Sequence, residues 1–217
     1  MSSIPTTELL VFNTTEEFRK DHSILYPTLD LGLKSDGVRK PAYIGVQFED
    51  PATGYMIITW RKHMAVAETP LLQPMLEAMK PVFEGSLKAN HIIFNDHTTA
   101  FQQPVTEFLL LTPKDPSHRA EVFDILTKLS DSTKQMLVFG PALEDDNEIV
   151  MVCGWPSVDV GVKIIEIWAY RAVVNVDLQA HWETVSKPEP KAALERLYTI
   201  ANKIHQFHTS LTPYSGK

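Results

Sequence analysis

The strongest constraint on this fold is a stretch of sequence that occurs twice. IGVQFEDPATGYMIITW, at 44–60, aligns without a gap on FGPALEDDNEIVMVCGW, at 139–155, ninety-five residues later. The matched positions are a glycine, an acidic pair and a tryptophan: Gly45 with Gly140, Glu49-Asp50 with Glu144-Asp145, and Trp60 with Trp155. A match that holds one register over this length predicts two copies of the same supersecondary unit.

Each copy opens with a β-prone run, TELLVF at 7–12 and TEFLLL at 106–111. Apolar residues with helical spacing follow, most clearly in SHRAEVFDILTKLSD at 117–131. The repeated stretch then supplies two strands joined by a turn that carries the acidic pair. Gly45 and Gly140 fall inside these strands, where glycine marks a bulge or a close approach of backbone.

A second helix and a fourth strand complete each copy. The helices are predicted at 70–83 and 158–172, and the strands near 88–94 and 176–185. Each half therefore reads βαββαβ, the order of a ferredoxin-like α+β fold.

The C-terminal stretch predicts one more helix, which has no counterpart in the first half. Over 191–207, KAALERLYTIANKIHQF, apolar residues form one helical stripe: Leu194, Leu197, Tyr198, Ala201, Ile204 and Phe207. The predicted domains are a first repeat over 5–95, a second repeat over 104–186 and a helical extension over 187–217.

The composition excludes several classes of function. The chain has 217 residues, 44% of them hydrophobic, and a formal charge of −7, so nucleic acid is not an expected partner. No apolar run approaches the length of a membrane span, and the N-terminus lacks the pattern of a secretory signal. Cys153 is the only cysteine, which excludes an internal disulfide. The expectation is a cytoplasmic protein with no membrane partner.

Each half is a strand–helix–hairpin–helix–strand unit, and the first opens on TELLVF and carries Trp60 at the end of its third strand. Units of this kind resemble antibiotic-biosynthesis-monooxygenase-type (ABM) domains. These domains belong to the dimeric α/β-barrel superfamily, and tandem versions are known in fungi. The resemblance implies two four-stranded sheets that close face to face into a barrel, either within the chain or across a homodimer. It also implies ligands between each sheet and its helices, a role in secondary metabolism, and a hydrophobic, aromatic or polyketide-like substrate.

Histidines are the candidate acid–base residues, because the pKa of histidine lies near neutrality. His91 and His181 fall on the two predicted fourth strands, and His63 falls at the entry to the second helix of the first repeat. In the family, aromatic residues near the third strand line the substrate cavity. The candidate substrate-binding residues are Trp60, Tyr55 and Phe94 in the first repeat and Trp155, Trp168 and Trp182 in the second.

No metal or cofactor is expected. His205 and His208 have the i, i+3 spacing of a metal pair, but no third ligand lies near them in sequence. Several enzymes of the superfamily, haem-degrading members among them, place a histidine nine or ten residues past the third strand. The residues at those places are Thr69 and Pro70 in the first repeat and Ile164 and Ile165 in the second, so haem is not expected.

Two functions from different classes remain open at this point. The first is a small-molecule enzyme that resembles cofactor-independent monooxygenases or polyketide cyclases and dehydratases, acting by histidine-assisted proton abstraction. The alternative is a non-catalytic α/β-barrel protein that binds a hydrophobic ligand or serves a structural role. The absent second-helix histidine favours the alternative.

Overall fold

The structure is a computed structural model that describes residues 5–35, 37–61, 70–96, 99–133, 136–155 and 188–216. The chain divides into two compact units. The first holds the described residues of Met1–Phe94, Ala142–Glu144 and Thr209–Lys217, and the second holds those of Asn95–Pro141 and Asp145–His208. Within the described residues, no helix is long and apolar enough to span a membrane.

The first unit follows the predicted order of elements. In chain order these are β1 (Thr6–Thr14), α1 (Glu16–Lys20), α2 (Tyr26–Leu33), β2 (Val38–Val46), β3 (Thr53–Trp60), α3 (Leu72–Met79) and β4 (Phe83–Ile92). Thr15 begins α1 because its hydroxyl accepts a hydrogen bond from the Phe18 N–H at 3.1 Å.

The second unit repeats this order at its start. Its elements are β5 (Val105–Pro113), α4 (Arg119–Ser132), β6 (Leu137–Pro141), β7 (Ile149–Trp155), α5 (Pro188–Ile200) and β8 (Ala201–Thr209). The last strand, β9 (Thr212–Tyr214), belongs to the sheet of the first unit. The predicted helix at 158–172 and the predicted strand near 176–185 lie outside the described residues.

The two sheets have the same strand order. The first runs β4-β1-β3-β2-β9, and the second runs β8-β5-β7-β6 when read from the same edge. The strand pairs β1–β3, β2–β3, β5–β7 and β6–β7 are all antiparallel. Two antiparallel sheets with helices give an α+β fold, and the shared order is consistent with a ferredoxin-like unit in each half.

One face of each sheet packs against helices. On β3 the alternating residues Met56, Ile58 and Trp60 point to the face that holds Leu29 of α2 and Met75 of α3. On β7 the equivalent residues Met151, Cys153 and Trp155 share a core with α4 and α5. The recurring tryptophan therefore ends the third strand on the helix-covered face of its own sheet.

The C-terminal region differs from the prediction. The predicted helix over 191–207 ends at Ile200, and Ala201–Thr209 is a strand beside β5, so the helical extension is wrong from Ala201 onward. Ile204 is 57% exposed whereas Phe207 is 2% exposed, although both belonged to the predicted apolar stripe. Pairing with β5 overrides the helical spacing, since β8 takes the place beside β5 that β4 takes beside β1.

Gly45 lies where another part of the first unit approaches β2 closely. A Cβ atom at this position would meet the Thr209 hydroxyl at 2.3 Å and the Ser210 carbonyl oxygen at 2.8 Å. The predicted close approach is therefore confirmed at Gly45. The acidic pairs also lie on the hairpin turns, where Asp50 accepts from the Ala52 N–H and Asp145 accepts from the Asn147 N–H.

Candidate functional site

A buried glutamate lies at the start of β1, on the face of the sheet that is covered by helices. Strand alternation puts Glu8 on the same face as Leu10 and Phe12, two members of the apolar core. The indole Nε1 of Trp60 donates a hydrogen bond to Glu8 Oε2 at 2.8 Å. Glu8 is 3% exposed and Trp60 is 1% exposed. The Glu8 carboxylate is therefore shielded from water and accepts its hydrogen bond from the indole N–H.

His91 is the third member of this group. In the antiparallel pairing of β1 with β4, His91 stands directly opposite Glu8, and residues that face each other in this way project on one side of a sheet. The His91 Nε2 atom lies 3.8 Å from Glu8 Oε1. The His91 side chain is 12% exposed and that of Glu8 is 4% exposed, and the Nε2 atom of His91 is itself buried.

Glu144 fixes the orientation of the His91 ring. Its two carboxylate oxygens accept the His91 backbone N–H at 3.1 and 2.9 Å, and Oε1 also bonds the ring Nδ1. A carboxylate can only accept, so Nδ1 carries the hydrogen. In the neutral ring, the lone pair is then on Nε2, the atom that faces Glu8.

The pKa values of the two carboxylates beside His91 are shifted in opposite directions. Burial raises the pKa of Glu8 above its ordinary value of 4.5, against the opposing effects of the Trp60 hydrogen bond and the charge on His91. Partial burial also acts to raise the pKa of Glu144, but the hydrogen bonds from His91 outweigh it, so the pKa of Glu144 is lowered. Titratable groups pushed apart in this way are typical of acid–base sites.

The second unit contains the same group of residues. Trp155 Nε1 donates to Glu107 Oε2 at 2.7 Å, and His208 Nε2 lies 4.0 Å from the same oxygen. Gln206 adds a second donor, through Nε2, to Glu107 Oε1. Burial raises the pKa of Glu107, while His208 and the two hydrogen bonds act to lower it. The tryptophan that recurs in the sequence therefore holds a glutamate from the first strand in both units.

His205 and His208 do not form the pair that their spacing suggested. They lie on β8, where residues three apart point to opposite faces; His205 is exposed and His208 is buried. In the described part of the chain, no three histidine, cysteine, aspartate or glutamate side chains lie close enough together to hold a metal ion.

The structure brings some of the predicted site residues together. His91 and Trp60 meet at Glu8, and Trp155 meets Glu107. His63, His181, Trp168 and Trp182 lie outside the described residues.

Two further candidates, Tyr55 and Phe94, also belong to the first unit. Tyr55 is buried on the opposite face of β3, where its hydroxyl donates to Gln47 Oε1 at 2.7 Å. Phe94 is half-buried, two residues past the end of β4.

The residues that sequence reasoning missed are the acids and one histidine: Glu8, Glu107, Glu144 and His208. A signal for the first two was present, because Thr-Glu opens both β-prone runs. A glutamate inside an otherwise apolar strand is seldom fully buried unless it has a partner.

No protein-family model matches the chain, and no curated protein matches its sequence. Solved structures do match along nearly the whole length. A candidate monooxygenase from Fusobacterium nucleatum subsp. nucleatum aligns with a TM-score of 0.64 and 13% identity, covering 98% of this chain and 94% of that one. A candidate monooxygenase from Lactobacillus acidophilus gives 0.64 and 13%, covering 99% and 98%.

An anthrone oxidase-like protein is also similar to this chain. It aligns with a TM-score of 0.59 and 14% identity, covering 99% of this chain and 95% of that one. At these identities the three matches show a shared, monooxygenase-like fold.

Proposed function

We propose that this protein is a small-molecule oxygenase of the ABM type, built from two tandem units and requiring no bound metal or organic cofactor. The observation that carries the proposal is the His91 imidazole set between two carboxylates, with Nδ1 held by Glu144 and Nε2 facing Glu8. The proposed substrate is a hydroxylated aromatic or polyketide-like molecule with an acidic C–H bond. The names of the similar solved structures, two candidate monooxygenases and an anthrone oxidase-like protein, support this choice.

In the proposed reaction His91 is the general base. Its Nε2 removes a proton from the carbon beside the aromatic rings, and the resulting imidazolium lies near the Glu8 carboxyl and against the Glu144 carboxylate. A positioned general base contributes about 10²- to 10⁴-fold to a rate. Glu8, Glu144 and Trp60 act as positioning residues, because they set the orientation and the charge around the ring.

The rest of the reaction follows from the substrate anion. The anion gives one electron to dioxygen, and the radical pair combines to form a C–O bond and a hydroperoxide. Loss of the second proton from the same carbon breaks the O–O bond, which releases water and leaves a carbonyl. For an anthrone, the CH₂ group becomes C=O, and dioxygen supplies one oxygen to the quinone and one to water.

Oxygen uptake with 1,8-dihydroxyanthrone tests the proposal. The purified protein should accelerate uptake above the spontaneous rate, with one dioxygen consumed per quinone formed. Under ¹⁸O₂ the new carbonyl should carry one labelled oxygen. Turnover without oxygen consumption would indicate a cyclase or dehydratase instead, and a stoichiometric complex without conversion would indicate a binding protein. Native mass spectrometry of the same sample separates a monomer from a homodimer.

A further inference from the structure

An open cleft of about 630 Å³ in the first unit is lined by an unusual number of cations. It lies where α2 ends and β2 begins, beside the end of β3. Lys34, Arg39, Lys40 and Arg61 contribute its charged side chains, and Leu33 and Val38 contribute apolar surface. A volume of this size is in the range of small-molecule sites, which span roughly 300–1,000 Å³.

These positive charges are poorly balanced. Among the described residues, the side chains of Lys34, Arg39 and Arg61 form no ion pair or hydrogen bond, and Lys40 Nζ donates to a neutral acceptor, the Ser215 carbonyl oxygen, at 2.8 Å. In the sequence of this region, 33–40, the one acidic residue is Asp36. With Arg61, this region carries four cations. Asp30 of α2 also lies near Lys40, because Asp30 Oδ1 and Lys40 Nζ are each 3.5 Å from a Cβ built on Gly216. Setting these two acids against four cations leaves two positive charges, on a chain whose net charge is −7.

The backbone holds the cations in place from two strands. Arg39 pairs with Thr59 across β2 and β3, and Val38 pairs with Trp60. The Arg61 N–H donates to the Gly37 carbonyl oxygen at 2.6 Å, and the Val38 N–H donates to the Ser35 carbonyl oxygen at 3.1 Å. The backbone of Arg39 is therefore held in β2, and the backbone of Arg61 is bonded to the segment before β2.

We infer that this cleft binds the anionic group of a small molecule, a phosphate or a carboxylate cluster. Arginine presents a planar fork of N–H donors that matches both groups, and a lysine adds a mobile positive charge. The four side chains line one open cleft, so a single ligand can contact several of them, whereas isolated surface charges bind ions weakly. The inference is independent of the proposed oxygenase chemistry, because it concerns binding at other side chains.

Isothermal titration calorimetry on the full chain at low ionic strength tests the inference. Pyrophosphate and citrate are the two probes, and sodium chloride at matched ionic strength is the reference. The variants are Arg39→Gln and Arg61→Gln, and both side chains are exposed. Lys128→Gln removes the same charge from an exposed site in the second unit and is the matched control.

The expected result is saturable binding of one probe that weakens about tenfold in each arginine variant and is unchanged in Lys128→Gln. A preference for pyrophosphate assigns a phosphate ligand, and a preference for citrate assigns a carboxylate ligand. Unfolding temperatures without ligand should match in all variants, which separates loss of binding from loss of folding. Heats no larger than those of sodium chloride, or equal binding in the arginine and lysine variants, would overturn the inference.

Discussion

At the scale of single residues, the site depends on a buried carboxylate bonded to an indole. Removing a carboxylate from water has a penalty of several kcal/mol, and a hydrogen bond to a charged group returns only about 1.5–3 kcal/mol. Packing alone therefore does not account for a buried glutamate at these two places, because burial of the carboxylate is unfavourable. The two pairs are Glu8 with Trp60 and Glu107 with Trp155. Their presence in both units favours a role in binding or catalysis.

Replacing Glu8 by glutamine should stabilise the protein more as the pH rises. Because burial raises the Glu8 pKa, the folded state binds this proton more tightly than the unfolded state does. In wild type, the protonated Glu8 therefore stabilises the folded state. This contribution is fully present below the ordinary pKa of 4.5 and is lost as the pH rises through the raised pKa of Glu8. Glutamine does not titrate, and its carbonyl oxygen can still accept from Trp60.

Urea unfolding of wild type and Glu8→Gln across this pH window measures the effect. The free energy of unfolding of the variant, minus that of wild type, should increase from pH 4.5 upward. A difference that is flat or that decreases with pH would show that the pKa of Glu8 is not raised in the folded protein.

The site residues were only partly predictable at this scale. His91 and Trp60 were identifiable from residue type and position, because histidine titrates near neutrality and the tryptophan recurs. Their common partner was not, since the contact between Glu8 and His91 joins residues 83 positions apart through the register of β1 with β4. One sequence does not reveal that register.

At the scale of elements, β8 is the segment whose structure departs most from its sequence pattern. Ala201–Thr209 has apolar residues at helical spacing and yet pairs as the edge strand of the second sheet. The consequence is chemical as well as structural. Strand geometry directs Gln206 and His208 to Glu107 and turns Phe207 to the other face, where its ring stacks on Phe108 at 4.9 Å.

Two alanine substitutions distinguish the strand from the predicted helix. Phe207→Ala should destabilise the protein by about 3–5 kcal/mol, because it empties a buried, stacked position. Ile204→Ala should change stability by less than about 0.5 kcal/mol, since Ile204 is exposed. Chemical denaturation of both variants is the measurement. Similar losses at both positions would support the helical stripe.

The C-terminal segment is positioned against β2 at Gly45. Gly45→Ala should destabilise the first unit, because the new methyl group overlaps the Thr209 hydroxyl and the Ser210 backbone. Gly32→Ala is the matched control: its methyl would meet only side chains, the nearest at 3.5 Å, and alanine in a helix is favoured by up to about 1 kcal/mol. Melting temperatures should therefore fall for Gly45→Ala and hold or rise for Gly32→Ala. Equal effects would show that the close approach is unimportant.

At the scale of the whole molecule, the two units share a strand order and a buried glutamate–tryptophan pair. The gapless match predicted the antiparallel hairpin of each unit, because β3 and β7 lie within the matched stretches and β2 and β6 end in them. The predicted fourth strand of the second unit, near 176–185, lies outside the described residues. In the described sheet β8 lies beside β5, a pairing that depends on the neighbouring strand more than on the residues of β8.

A comparison of two histidine variants in the 1,8-dihydroxyanthrone assay tests most directly whether His91 is the general base. His91→Gln removes the proposed base, and His205→Gln changes an exposed histidine on β8. We expect kcat to fall by about 10²-fold or more in His91→Gln, with a melting temperature close to that of wild type. We expect His205→Gln to keep full activity. Wild-type turnover that survives in His91→Gln would contradict the assignment of His91 as the base.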